Sequence, residues 1–114
     1  MSACYVSIDM EIDQKLNGQD YRGAVETFIN RVSRERCDPQ TVGRLIRKCE
    51  MYKESDAIEN LLNICIQHEI NLSSYDFSLA FKCLILDRRM SSCQKLLLKY
   101  LDWKNEIEEN LLVN

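Results

Sequence analysis

Apolar positions in this 114-residue chain recur in blocks about thirty-four residues apart, and this periodicity restricts its fold more than any other feature. Ala24-Val25, Phe28-Ile29 and Val32 fall on Ala57-Ile58, Leu61-Leu62 and Cys65 at a shift of 33, and a further 35 brings that template onto Ser92-Cys93, Leu96-Leu97 and Tyr100. Leu45, Lys48 and Cys49 fall on Leu79, Lys82 and Cys83 at a shift of 34. Within each block the spacing of three and four residues is that of one helix face. A period of this length marks stacked supersecondary units, none of which buries its apolar face alone. The expectation is an all-α chain of about three helix hairpins sharing one core.

Turn and cap residues divide the chain. Ile8, Ile12 and Leu16 recur every four residues before Asn17-Gly18, which predicts a short helix from about Asp9 to Asn17. Asp20 is placed to cap a second helix ending near Arg36, and Asp38-Pro39, an acceptor followed by proline at the first helical position, opens a third. Ser55 is expected to cap a fourth and Ser73 or Ser74 to start a fifth, whose two apolar stripes, Phe77-Ala80-Phe81-Leu84-Ile85 and Leu79-Cys83-Leu86, predict packing on two sides. Ser91-Ser92-Cys93-Gln94 reads as a capping box for a sixth. After Trp103 a separate short acidic helix, or a fraying tail, is expected to carry Ile107, Leu111 and Leu112. One domain therefore divides into an N-terminal segment 1–19, repeats over 20–101, and an acidic helix or tail over 102–114.

Composition excludes several classes. With 46% apolar and 29% charged residues the chain is of ordinary globular type, and three glycines and one proline are too few for the turns of a β-sandwich. No membrane span or secretory leader is legible, so a soluble, cytoplasmic or nuclear location is expected. The six cysteines, Cys4, Cys37, Cys49, Cys65, Cys83 and Cys93, include no C-x-x-C pair, and four sit on apolar helix faces, as free core thiols do. His68 is the only histidine, which leaves no His pair for a metal or for acid–base work. Cys65, three residues before His68, offers a Cys–His pair, but on an apolar face, where burial deactivates a thiol. No phosphate loop, nucleophile elbow or calcium loop is present. No catalytic residue, metal or cofactor is expected.

The segment Gln40 to Ser73, QTVGRLIRKCEMYKESDAIENLLNICIQHEINLS, resembles a pentatricopeptide unit in length and in the placement of Leu45-Ile46, Ala57, Leu61-Leu62 and Ile70. The wider resemblance, over about Asp20 to Leu101, is to the pentatricopeptide and tetratricopeptide helical repeats. It implies a short right-handed α-solenoid and a binding rather than catalytic role. Where pentatricopeptide proteins place their RNA-reading residues, this chain has Arg44 and Ser73, and Arg44 is not the usual residue. The turn around Lys53-Glu54 lacks the usual glycine, and the Trp, Gly and Pro signature of tetratricopeptide repeats is absent. Leu45 to Leu62 and Tyr75 to Leu98 also resemble the helical region of vertebrate germ-cell PAZ-domain proteins.

Net charge is −3, yet charge is blocked along the chain. Between Arg31 and Lys53 seven basic residues face three acidic ones, and from Glu54 to Ala80 the ionised side chains are all acidic. In a hairpin stack the first helices line one surface, so Arg44, Arg47, Lys48 and Lys82, with Arg88 and Arg89, are candidate partner- or RNA-binding residues. The ordinary reading is of solvated faces with pairs such as Arg47 and Glu50. Tyr52, Tyr75 and Trp103 offer rings for base stacking or for packing. A protein partner is the leading expectation, RNA the alternative, with self-association through an uncapped end a third contact to consider.

Overall fold

A computed structural model describes residues 5–113. Six helices follow one another: α1 (Ile8–Asn17), α2 (Tyr21–Arg31), α3 (Pro39–Met51), α4 (Ser55–Gln67), α5 (Ser74–Leu86) and α6 (Met90–Val113), with no strand among the described residues. Cys4 lies outside the described residues, as do the side chains of Leu111 and Leu112.

Each helix touches only near neighbours in the order. α1 packs on α2 and α3, α2 on α3 and α4, α3 on α4 and α5, α4 on α5 and α6, and α5 on α6, whereas α1 and α5, or α2 and α6, do not meet. The chain measures 49 × 39 × 19 Å, and the short dimension is two helix diameters at about 10 Å each. Its radius of gyration, 15.0 Å, exceeds the ~13 Å of a compact domain this long. The six helices follow one another as three successive pairs, in a layer two helices thick. α1, in the segment set apart by sequence, pairs with α2 as the first of them.

The turns inside the hairpins share one form. Gln19, Lys53 and Arg88, at intervals of 34 and 35, all have positive φ, at 64°, 57° and 58°. At each, the residue's own N–H donates to the carbonyl three residues before it and the next N–H to the carbonyl five before itself, as from Lys53 to Glu50 and from Glu54 to Cys49. That is the pattern that closes a helix with a left-handed residue, normally glycine. Glu69, at 55°, closes α4 in the same way. Gly18 does not supply the first stop: its φ is −85°, and Gln19 takes the left-handed position.

The core runs along the row. Ala24, Thr27, Phe28 and Val32 are buried in α2 and its end, as are Ile58, Leu61, Leu62 and Ile66 in α4, thirty-four residues on. The buried sets thus align at 34 rather than 33, because Phe28 is fully enclosed while Ile29 is 41% exposed. Ile12, Ile46 and Ala80, again 34 apart, are all fully buried.

Several expected boundaries move. α2 ends at Arg31, with Val32 as its cap, before Arg36. The fourth helix has Glu54 at its cap position with no side-chain capping bond, and Ser55 is a buried helical residue whose hydroxyl lies 3.9 Å from the Cys83 sulfur. Ser91 and Ser92 lie inside the first turn of α6, which opens on the Arg89 carbonyl accepting from the Cys93 N–H, so no capping box forms. The acidic segment after Trp103 continues α6 without a break. Lys104 fixes this extension: its ammonium sits over the rings of Trp103, Phe77 and Tyr100 at 4.7, 5.3 and 5.6 Å. Asp38, Asp20 and Ser73 do cap α3, α2 and α5, accepting from Gln40, Gly23 and Asp76.

Candidate interaction surface

The first helices of the hairpins, α1, α3 and α5, are joined on their exposed side by ion pairs. Arg44 grips Asp13 of α1 through both carboxylate oxygens, at 3.1 Å each. Arg47 donates to Asp76 of α5 at 2.7 Å. Asp76 is buried, and its second oxygen accepts from the Ser73 hydroxyl at 3.0 Å. Space for this carboxylate comes from Gly43: a Cβ there would stand 2.2 Å from Asp76 Oδ2.

Of the six cations expected on one surface, three are therefore held by carboxylates. Arg89 is the third, with Asp56 and Asp87 at 2.7 Å and Glu59 at 3.5 Å. Asp87 beside Arg89 is held below its ordinary range by that guanidinium. Lys48 is half-buried and Lys82 and Arg88 are exposed; none of the three forms an ion pair among the described residues. Arg88 spends its backbone on the left-handed turn.

The second stripe of α5 is not packed on both sides. Leu86 is 70% exposed and Leu79 half-buried, and with buried Cys83 they floor an open cleft of about 390 Å³ against the end of α3. Its rim is Glu50, Lys53, Ser55, Lys82 and Asp87. Lys53 donates to Glu50 at 2.9 Å and Asp87 accepts from Arg89, which leaves Lys82 as the charge with no protein partner. The sequence carried the signal, a helix apolar on two sides, but not its outcome.

The aromatic residues are mostly spent on packing. Tyr52 stacks on Tyr21 with centroids 4.6 Å apart and planes 8° apart, and Trp103 is buried against Phe77 and Tyr100. Tyr75 is exposed. Cys65 is enclosed, burial pushing its thiol up to about 12, while His68 is exposed at the end of α4. Such a thiol is not an activated nucleophile. Among the described residues no three His, Cys, Asp or Glu side chains are grouped to hold a metal, and no helix is long and apolar enough to cross a membrane.

No protein-family profile, curated protein or solved structure matches this chain.

Proposed function

We propose that the chain is a helical-repeat interaction module, a short right-handed solenoid of three hairpins, that binds a protein segment in the cleft between α3 and α5. The recurring left-handed turns, the burial pattern at 34 and the contacts confined to successive hairpins support the solenoid reading. One observation carries the binding reading: Leu79 and Leu86 line an open cleft whose one unspent charge is Lys82. Apolar anchors set in a concave surface beside a few polar groups are what a peptide side chain fills. The segment that fits has an apolar side chain for the Leu79–Leu86 floor and a carboxylate for Lys82.

The ion pairs favour protein over RNA. A phosphate-binding strip needs cations free to replace counterions, and Arg44, Arg47 and Arg89 are committed to Asp13, Asp76 and Asp56. The test is affinity capture from the native cell with the wild-type chain, Leu86→Asp and Lys82→Glu, identifying both bound protein and bound RNA. The reading expects a protein retained by the wild type and lost from both variants. Retention of the same proteins by all three, or capture of RNA alone, overturns it.

A further inference from the structure

Lys104 is held without a carboxylate. It takes part in no ion pair among the described residues. Its ammonium lies 4.7 Å from the ring centroid of Trp103, 5.3 Å from that of Phe77 and 5.6 Å from that of Tyr100, and it donates to the side-chain oxygen of Asn71. The rings stand steeply to one another, at 64° for Phe77 and Tyr100, 74° for Phe77 and Trp103, and 84° for Tyr100 and Trp103. They are three walls of a box, not a stack, and the negative faces of such walls attract a cation set between them.

The fold supplies this box from two helices. Tyr100, Trp103 and Lys104, three and four residues apart, share one side of α6, and buried Phe77 comes from α5. Asn71 precedes α5 and is exposed, and Lys104 is half-buried, so the box opens to solvent at the ammonium. A lysine stem is long and flexible, and it can leave such a box without any movement of the helix that carries it.

The donors of the occupant are poorly matched. A primary ammonium has three N–H groups, and the Asn71 oxygen is the one acceptor Lys104 reaches among the described residues. Burial, with no compensating charge, lowers the pKa of Lys104. A dimethylated ammonium keeps the charge and one N–H for Asn71, and it sets two methyl groups against the rings in place of the unmatched donors. A trimethylated one has no N–H left for Asn71. Charge around the box selects the source of such a group: between 102 and 109, Asp102, Glu106, Glu108 and Glu109 surround Lys104 as the single base. That surface suits a lysine-rich protein segment and repels the phosphate of a choline head group.

We propose that Phe77, Tyr100 and Trp103 form a binding site for a dimethylated lysine side chain of a basic partner protein, and that Lys104 is the resident occupant this ligand displaces. The box shares no residue with the α3–α5 cleft and stands whether or not that cleft binds a peptide.

Trp103 is the only tryptophan of the chain, so its fluorescence reports on the box alone. The probe is Nα-acetyl-Nε,Nε-dimethyllysine amide, titrated into the full chain and into Lys104→Ala. The variant should bind with a dissociation constant of about 1–10 mM, that of a fragment-sized ligand. The wild type should bind at least ~10-fold more weakly, because its own lysine closes the box most of the time. In the Lys104→Ala background the unmethylated probe and a neutral carbon isostere should bind at least ~10-fold more weakly than the dimethyl form, since each loses the methyl contacts or the charge. Adding Asn71→Ala should remove the preference for the dimethyl over the trimethyl form. Where Lys104→Ala loses helix content by circular dichroism, the wild type titrated to about 100 mM carries the test through the same fluorescence and the same set of probes. Absence of any response, or equal binding of the charged and neutral probes, overturns the proposal. Phosphocholine binding as tightly as dimethyllysine would assign the box to a lipid head group and overturn the protein partner.

Discussion

Asp56 and Arg89 pair at 2.7 Å between α4 and the turn before α6, in the place where Arg22 and Glu54 pair at 3.1 Å one hairpin earlier, with the charges exchanged. Arg22 lies 34 residues before Asp56, and Glu54 lies 35 before Arg89. The same junction is thus built twice from opposite signs, which the spacing of apolar residues does not reveal.

Exchanging Asp56 and Arg89 should be tolerated better than either single charge reversal. Exposed pairs are worth ~0.2–1 kcal/mol, and Asp56 is 85% exposed, so a coupling of about 0.5 kcal/mol is expected in a double-mutant cycle by urea unfolding. Simple addition of the two single effects would remove the pairing from the account.

Two glycines should respond with opposite sign. Gly43→Ala drives a Cβ into the buried Asp76 carboxylate and should cost ~1–3 kcal/mol, the range for overpacking. At Gly18 an added Cβ would meet the Gln14 carbonyl oxygen at 3.5 Å, an ordinary contact, and φ is −85°, so Gly18→Ala should gain about 0.4–1 kcal/mol by restricting the unfolded chain. Equal responses would contradict the placement of Asp76 beneath α3.

The left-handed turns predict a gain from glycine where glycine is usually costly. Lys53 and Arg88 carry side chains at φ near 57° and 58°, a conformation that costs a non-glycine residue ~1–2 kcal/mol. Lys53→Gly and Arg88→Gly should therefore each raise the unfolding free energy by about 0.5–1 kcal/mol despite the added backbone entropy. A loss at both sites would show that those residues are not left-handed.

Acid should destabilise the fold in a defined window. Glu35 is held down to about 2 by the Arg31 guanidinium and then by Tyr5, against an ordinary value of 4.5. Glu11 is lowered by Thr27 and Lys15, and Glu54 by Tyr21 and Arg22. A carboxyl depressed in the folded state contributes stability that is present above its unfolded pKa and is lost as pH falls through the folded one. The urea midpoint should thus hold from neutral pH to about 4.5 and fall between there and about 2. Arg31→Gln should flatten that fall, and an unchanged midpoint across the window would count against the network.

Local signals read well where the chemistry is self-contained. Asp38-Pro39 needs nothing beyond its own helix, and the structure caps α3 there. The boundary at Ser91-Gln94 failed because Arg88 closes the preceding turn and fixes the start of α6 at Met90, which leaves both serines inside the helix. The left-handed form of the turns was not legible, since Gln19, Lys53, Glu69 and Arg88 occupy positions where glycine is the usual marker. The basic residues of the surface were legible, but their partners were not. Arg44 and Arg47 meet carboxylates 31 and 29 residues away, and only the stacking of α1, α3 and α5 sets those pairs.

Methyl-to-methyl nuclear Overhauser contacts in the folded chain test the stacked-hairpin arrangement most directly. Ile12 of α1 and Leu84 of α5 are both buried, but α3 stands between their helices. The account predicts contacts linking α1 with α3 and α3 with α5, and none between Ile12 and Leu84. A direct contact between those two residues would mean that the helices close into a bundle, and would contradict it.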